Sequence, residues 1–229
     1  MIRYAVVLVP VLLAAQTQPL PRPHFVRASG EAVVSAKPDR AKINIGVASQ
    51  APTAQAASAH NAEESTKVIE AIKQALGSGG TVKTSGYSLA PRYEYPQNQS
   101  PHLIGYEATN SVDVTVDELP LLGKVIDAAT QAGANNINGI SFTLKDDSAV
   151  REQALSEAAK KARANAEALA RALNVQPGAI LEAEPSELPA VRPRPMPMMA
   201  MKVAAGPATP VEAGDLDIRA SVTVTLEVH

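Results

Sequence analysis

The sequence predicts an α+β fold, a split βαβ (ferredoxin-like) antiparallel sheet with an additional helix and terminal strands. Three observations predict it. From Ala41 to Leu144, stretches of alternating and of helical apolar period follow as strand, helix, strand, strand, helix, strand. A long alanine-striped helical stretch, Asp147 to Leu173, lies outside that set. Alternating strands stand near both ends of the chain, Phe25 to Ser35 and Ile218 to Val228.

The elements follow in order. Phe25–Ser35 places Val26, Ala28, Ala32 and Val34 at alternate positions, with Gly30 interrupting them as in a bulged strand. Lys37-Pro38-Asp39 reads as a turn. Ala41–Ser49 alternates Ile43, Ile45 and Val47 with polar residues, as in a half-buried strand. Thr53–Leu76 carries Ala57, Val68, Ile69, Ile72 and Leu76 largely at spacings of three and four, and stops at Gly77-Ser78-Gly79-Gly80.

Val82–Tyr95 and Ile104–Val116 read as a hairpin across the turn Pro96–Pro101. Asp117 is the expected cap of a helix over Leu119–Ala132, with Pro120 in its first turn and Gly133 as its stop. Both crossovers are expected to be right-handed, with the two helices on one face of the sheet. Ile137–Leu144 is the next strand.

The third helix repeats Ala154, Ala158, Ala162, Ala166 and Ala170, a small-residue stripe permitting close approach. It reads as the inner face of a core helix, in preference to a coiled-coil-like partner surface. Glu157–Lys161 and Glu167–Arg171 are spaced for exposed pairs, and Asp147 or Ser148 for its cap. Gly178–Glu184 is a further strand. Residues 188–213 form a Pro- and Met-rich loop unable to be helix or central strand.

Composition bounds the function. Of 229 residues, 45 % are hydrophobic but only 3 % aromatic, so the core rests on Val, Ile, Leu and Ala. A formal net charge of −2 argues against nucleic acid as a partner. Residues 1–15 read as a signal peptide: Arg3 precedes the apolar run Ala5–Ala15, and cleavage is expected near Ala14 or Ala15. An N-terminal anchor or a buried helix is the alternative. Residues 16–24 read as a flexible spacer, and residues 25–229 as the folded part.

No further run is apolar and long enough to be a transmembrane helix, and Ala-rich helices between the strands argue against a membrane barrel. A chain with no cysteine has neither disulfides nor thiol chemistry.

The search for chemistry yields little. His24, His60, His102 and His229 lack metal-ligand spacing, and no G-x-S-x-G turn presents a serine. A hydrolase would need a Ser, a His and a carboxylate gathered by the fold. Gly77–Gly80 follows a helix instead of preceding one, which disfavours a phosphate cradle. Asp146-Asp147 lacks the further ligands a calcium loop needs.

Two clusters remain. Met196, Met198, Met199 and Met201 hold four of the five methionines. They are weak candidates for soft-metal ligation or oxidant capture, or else an apolar contact or a tether. Tyr87, Tyr93, Tyr95 and Tyr106 lie on the hairpin, Tyr93 and Tyr95 on one face with Tyr106 across the turn. They form a stacking or subunit-contact patch, or, as the preferred reading, cross-strand pairs that pin register.

These motifs together resemble the SIMPL-domain family, in its periplasmic and outer-membrane-associated immunogenic type. The resemblance covers Gly30 to Val228. It rests on GEAVVSAKPD (Gly30–Asp39), TSGYSLAPRY (Thr84–Tyr93), GYEATNSV (Gly105–Val112) and GANNINGISF (Gly133–Phe142), with the alanine helix and the Pro/Met loop in their expected order. Asn174 stands where many members carry glycine, and asparagine tolerates the same left-handed backbone.

The resemblance implies two interleaved α+β subdomains, ring- or channel-like homo-oligomers and a role in stress tolerance. It supplies no catalytic residues and no cofactor. The expectation is a non-enzymatic, exported, envelope-associated protein working through self-assembly and surface contacts, envelope proteins among its candidate partners. The contact candidates are Tyr87, Tyr93, Tyr95, Tyr106, Met198 and Met199. The alternative is a binding module for a soft metal or a small apolar ligand.

Overall fold

The computed structural model describes residues 24–97, 100–193, 209 and 211–229. Residues 1–23, with the stretch read as a signal peptide and nearly all of that read as a spacer, lie outside the described residues, as do all four clustered methionines.

The described chain runs β1 (Phe25–Ala36), β2 (Arg40–Ala51), α1 (Ala54–Leu76), β3 (Gly80–Glu94) and β4 (His102–Val116). It continues through α2 (Leu121–Gln131), β5 (Asn136–Thr143), α3 (Ser148–Ala172), β6 (Pro177–Pro193) and β7 (Leu216–Val228). The strands form two antiparallel sheets, β3-β4-β2-β5 and β1-β7-β6. The second sheet is assembled from both ends of the chain, with the whole of the first between β1 and α3.

The four-stranded sheet is built on alternation. Ala41, Ile43, Ile45 and Val47 of β2 and Val112, Val114 and Val116 of β4 point to one face and are buried. Against them α1 sets Val68, Ile72 and Leu76, and α2 sets Leu122, Val125, Ile126 and Ala129. Each buried branched chain is worth about 1.5–3 kcal/mol over its exposed state.

Thr53 caps α1, its hydroxyl accepting the Ala56 amide at 3.2 Å. Asn61, fully buried in α1, donates from Nδ2 to the carbonyls of Val47 (2.8 Å) and Ala108 (3.0 Å). It clamps the helix across β2 and β4, satisfying backbone acceptors that burial would otherwise make costly.

The three-stranded sheet meets its helix differently. All five alanines of the α3 stripe are fully buried against β1 and β7, as the inner-face reading expects. The register of β1 on β7 is continuous through Gly30, opposite Val222, so the expected bulge is absent there. Gly30 serves close approach instead. A β-carbon on it would lie 2.2 Å from the Ala162 amide nitrogen and 2.5 Å from the Ala158 carbonyl oxygen. Asn165 ties the same contact, donating to the Ser29 carbonyl at 2.8 Å.

Other expectations shift in detail. Asp117 does not cap α2, which follows Pro120 with no side-chain cap; the Asp117 carboxylate instead accepts Arg40 Nε at 2.6 Å. Asp147 stands at the start of α3 but pairs with Arg151 at 2.6 Å, while Asp146 accepts the Ser148 amide at 2.9 Å. The Arg151 guanidinium hydrogen-bonded to Asp147 holds that carboxyl below the usual carboxylate range. Glu167 pairs with Arg163 (2.8 Å), and Glu157 accepts from Gln153.

Asn174 ends α3 at φ 56, the left-handed backbone expected of it. The stretch from Leu188 to Pro193, read as the start of the loop, continues β6. An edge strand with register shifts accepts the prolines a central strand would not.

Candidate functional site

The hairpin β3–β4 outgrows its sheet. Pairing of β2 with β4 ends at Ala51 opposite Tyr106, whereas β3 and β4 continue to Glu94 opposite His102. Beyond Ala51 the two strands form a ribbon with no third partner among the described residues. At its root lies Gly105, at φ 152, where a β-carbon would stand 2.8 Å from the Ala51 carbonyl oxygen. A register shift between Arg92 and Tyr93 accompanies it.

The hairpin is held on both faces at and below the root of the ribbon. On the helix side, Tyr87 Oη shares a 2.9 Å hydrogen bond with Ser58 Oγ of α1. On the other side, Arg92 donates to Gln50, and Gln50 donates to Glu107 at 2.7 Å. At the tip, His102 Nε2 lies 3.0 Å from Glu94.

The tyrosines therefore divide. Tyr87 is tethered to α1, and Tyr106 is half-buried opposite Pro91 and Ala51 at the base. Tyr93 pairs with Leu103, not Tyr106, and Tyr95 lies just past the end of β3. Tyr93 is 47 % and Tyr95 74 % exposed, with Leu89, Leu103 and Ile104 also exposed beside them. Sequence reading missed these aliphatic neighbours. The mark they leave is apolar residues on a segment longer than the strand that must cover it.

The fold also gathers a serine, a histidine and a carboxylate. Ser49 Oγ donates to Glu64 at 2.5 Å, and His60 Nε2 lies 3.3 Å from the other Glu64 oxygen. The order is wrong for a catalytic triad. Glutamate stands between serine and imidazole, so the base cannot take the serine proton, and Ser49 itself is buried. Among the described residues no group of three or more His, Cys, Asp or Glu side chains is arranged to hold a metal, and no helix is long and apolar enough to cross a membrane.

Comparison with known proteins gives a consistent result. The family model SIMPL, described as "Protein of unknown function (DUF541)", matches residues 26–226. A "26 kDa periplasmic immunogenic protein" of Brucella melitensis is 32 % identical over 225 residues, 94 % of this chain and 89 % of that protein. Its counterpart in Brucella abortus is also 32 % identical over the same span. The "Uncharacterized protein YggE" of Escherichia coli K12 is 30 % identical over 169 residues, 73 % of this chain and 68 % of that one.

Proposed function

The chain belongs to the SIMPL family, and from that premise we propose a non-enzymatic periplasmic or outer-membrane-associated protein acting by self-assembly and surface contact. The setting is tolerance of envelope or oxidative stress. The printed names of the Brucella relatives support the compartment, and the residues 1–15 pattern agrees with export.

One observation carries the contact reading. A ribbon braced at its root by Arg92 on Gln50, on a hairpin that Tyr87 ties to α1, presents Tyr93, Tyr95, Leu103 and Ile104 to solvent. Side chains already ordered on a braced ribbon lose little freedom when a partner covers them, so apolar burial there is retained as affinity. The same reading takes the four-stranded unit as a ferredoxin-like split βαβ, in keeping with its strand order β3-β4-β2-β5.

Light scattering on the mature chain after size exclusion is the test. The expectation is an assembly at micromolar concentration that the triple substitution Tyr93→Ser, Tyr95→Ser, Leu103→Ser reduces to monomer without loss of folded structure. A parent chain that is only monomeric sinks the assembly reading. A triple variant that assembles as the parent does removes the ribbon from it.

A second reading, a binding module for a small apolar ligand, has one observation in its favour. A cavity of about 320 Å³ opens where β1 begins and α3 and β7 end, walled by Phe25, Val26, Leu173, Val175 and Val228 with His24 and His229. That volume is at the lower end for small-molecule sites. The soft-metal form of this reading rests on Met196, Met198, Met199 and Met201 as a sequence pattern.

A further inference from the structure

A cleft of about 310 Å³ lies where the two sheets meet, walled by the start of β2, the end of β5 and the first turn of α3. Antiparallel register sets Arg40 opposite Thr143 and Lys42 opposite Ser141, on the face of the four-stranded sheet that carries no helix. Arg151 enters from α3. Three cations thus line one cleft; Asp147 offsets Arg151 and Asp117 offsets Arg40, which leaves Lys42 as the uncompensated charge.

Among the described residues, Arg40 and Lys42 keep donors unused. Arg151 is engaged by Asp147 at 2.6 Å. Arg40 engages Asp117 through Nε at 2.6 Å, and its terminal guanidinium nitrogens make no hydrogen bond among the described residues. Lys42 has no ion pair among the described residues. The Thr143 hydroxyl, on the same wall, is buried without a hydrogen-bond partner among the described residues. A buried hydroxyl and gathered like charges both oppose folding unless something satisfies them.

We propose that this cleft is a binding site for phosphate monoesters. A monoester carries close to two negative charges near neutral pH and three acceptor oxygens, which meet the uncompensated Lys42 and the donors Arg40 keeps beyond its bond to Asp117. Arginine and lysine supply charge-assisted donors, and Thr143 supplies a neutral one. Phe142 and Leu144, on the same wall, give apolar surface for the organic part of the ester. The ester comes either from a soluble metabolite or from a lipid headgroup.

The test titrates the mature chain at low salt with phenyl phosphate, and separately sediments it with vesicles containing phosphatidic acid. Saturable binding of phenyl phosphate without sedimentation assigns the soluble source, and sedimentation assigns the headgroup. Lys42→Gln is expected to weaken binding about tenfold, the loss of one charge-assisted bond. Thr143→Val is expected to weaken it severalfold while leaving the melting temperature unchanged or raised.

Lys160→Gln, on the exposed side of α3, is the control and is expected to bind as the parent. The proposal is overturned if neither probe binds. It is overturned equally if Lys42→Gln and Thr143→Val bind as the parent does, or if Lys160→Gln loses as much as they do.

Discussion

The two helix-on-sheet contacts of this molecule solve one problem in opposite ways. Under α1 and α2 the gap is filled by branched side chains, Ile43, Ile45, Val68 and Ile72 among them, and the helix is further pinned by Asn61. Under α3 the gap is nearly abolished. Alanines every four residues face a glycine, and backbone meets backbone. A filled gap tolerates small changes in volume, whereas a closed one tolerates none in the direction of larger. Two packings of similar appearance thus differ in what breaks them.

Substitutions can sharpen or break that comparison. The largest loss is expected from Gly30→Ala, whose new methyl has nowhere to go unless α3 moves from the sheet; about 3 kcal/mol or more is anticipated. Gly86→Ala is its control, since a β-carbon there meets nothing within 4 Å. Urea unfolding that finds the two equivalent would break the comparison.

Next comes Asn61→Ala, expected to cost about 2–3 kcal/mol because two buried carbonyls lose their donor. A change below about 0.5 kcal/mol, the range of ordinary surface substitutions, would mean the clamp does not hold α1. Ile72→Val should cost least, about 1 kcal/mol for one methylene removed from a filled core. A loss equal to that of Gly30→Ala would show the branched core to be as unforgiving as the alanine contact.

What the sequence disclosed, and what it withheld, follows the range of the interactions. The alanine stripe was legible because its period of four is written within one helix, and the hairpin because its strands are neighbours in the chain. Asn174 was legible from a local preference for left-handed backbone, and φ 56 agrees. Gly30 was misread as a bulge because a glycine in an alternating strand suits either role. Only α3, far along the chain, decides between them. Asp117 was misassigned as a cap because Arg40, its actual partner, is remote in sequence.

The candidate sites divide in the same way. Tyr93 and Tyr95 could be picked out by residue type, but their exposure depends on where β2 ends. Arg40, Lys42, Thr143 and Arg151 left no mark at all, since β2, β5 and α3 each contribute ordinary residues to the cleft.

The interleaved order of the strands also sets a timetable. β1 is the first described strand, yet its sheet partner is β7, with Phe25 opposite Glu227 and Ala36 opposite Leu216. The segment Arg40–Thr143 holds every strand of the other sheet and both of its helices, so it can complete its pairing as soon as it has emerged. β1 must wait for the last stretch of chain, because α3 and β7 both follow that segment. Distant pairing of this kind forms slowly. A nascent or translocating copy therefore carries one finished half and one open strand, whose hydrogen-bonding edge stays unpaired until the C-terminus arrives.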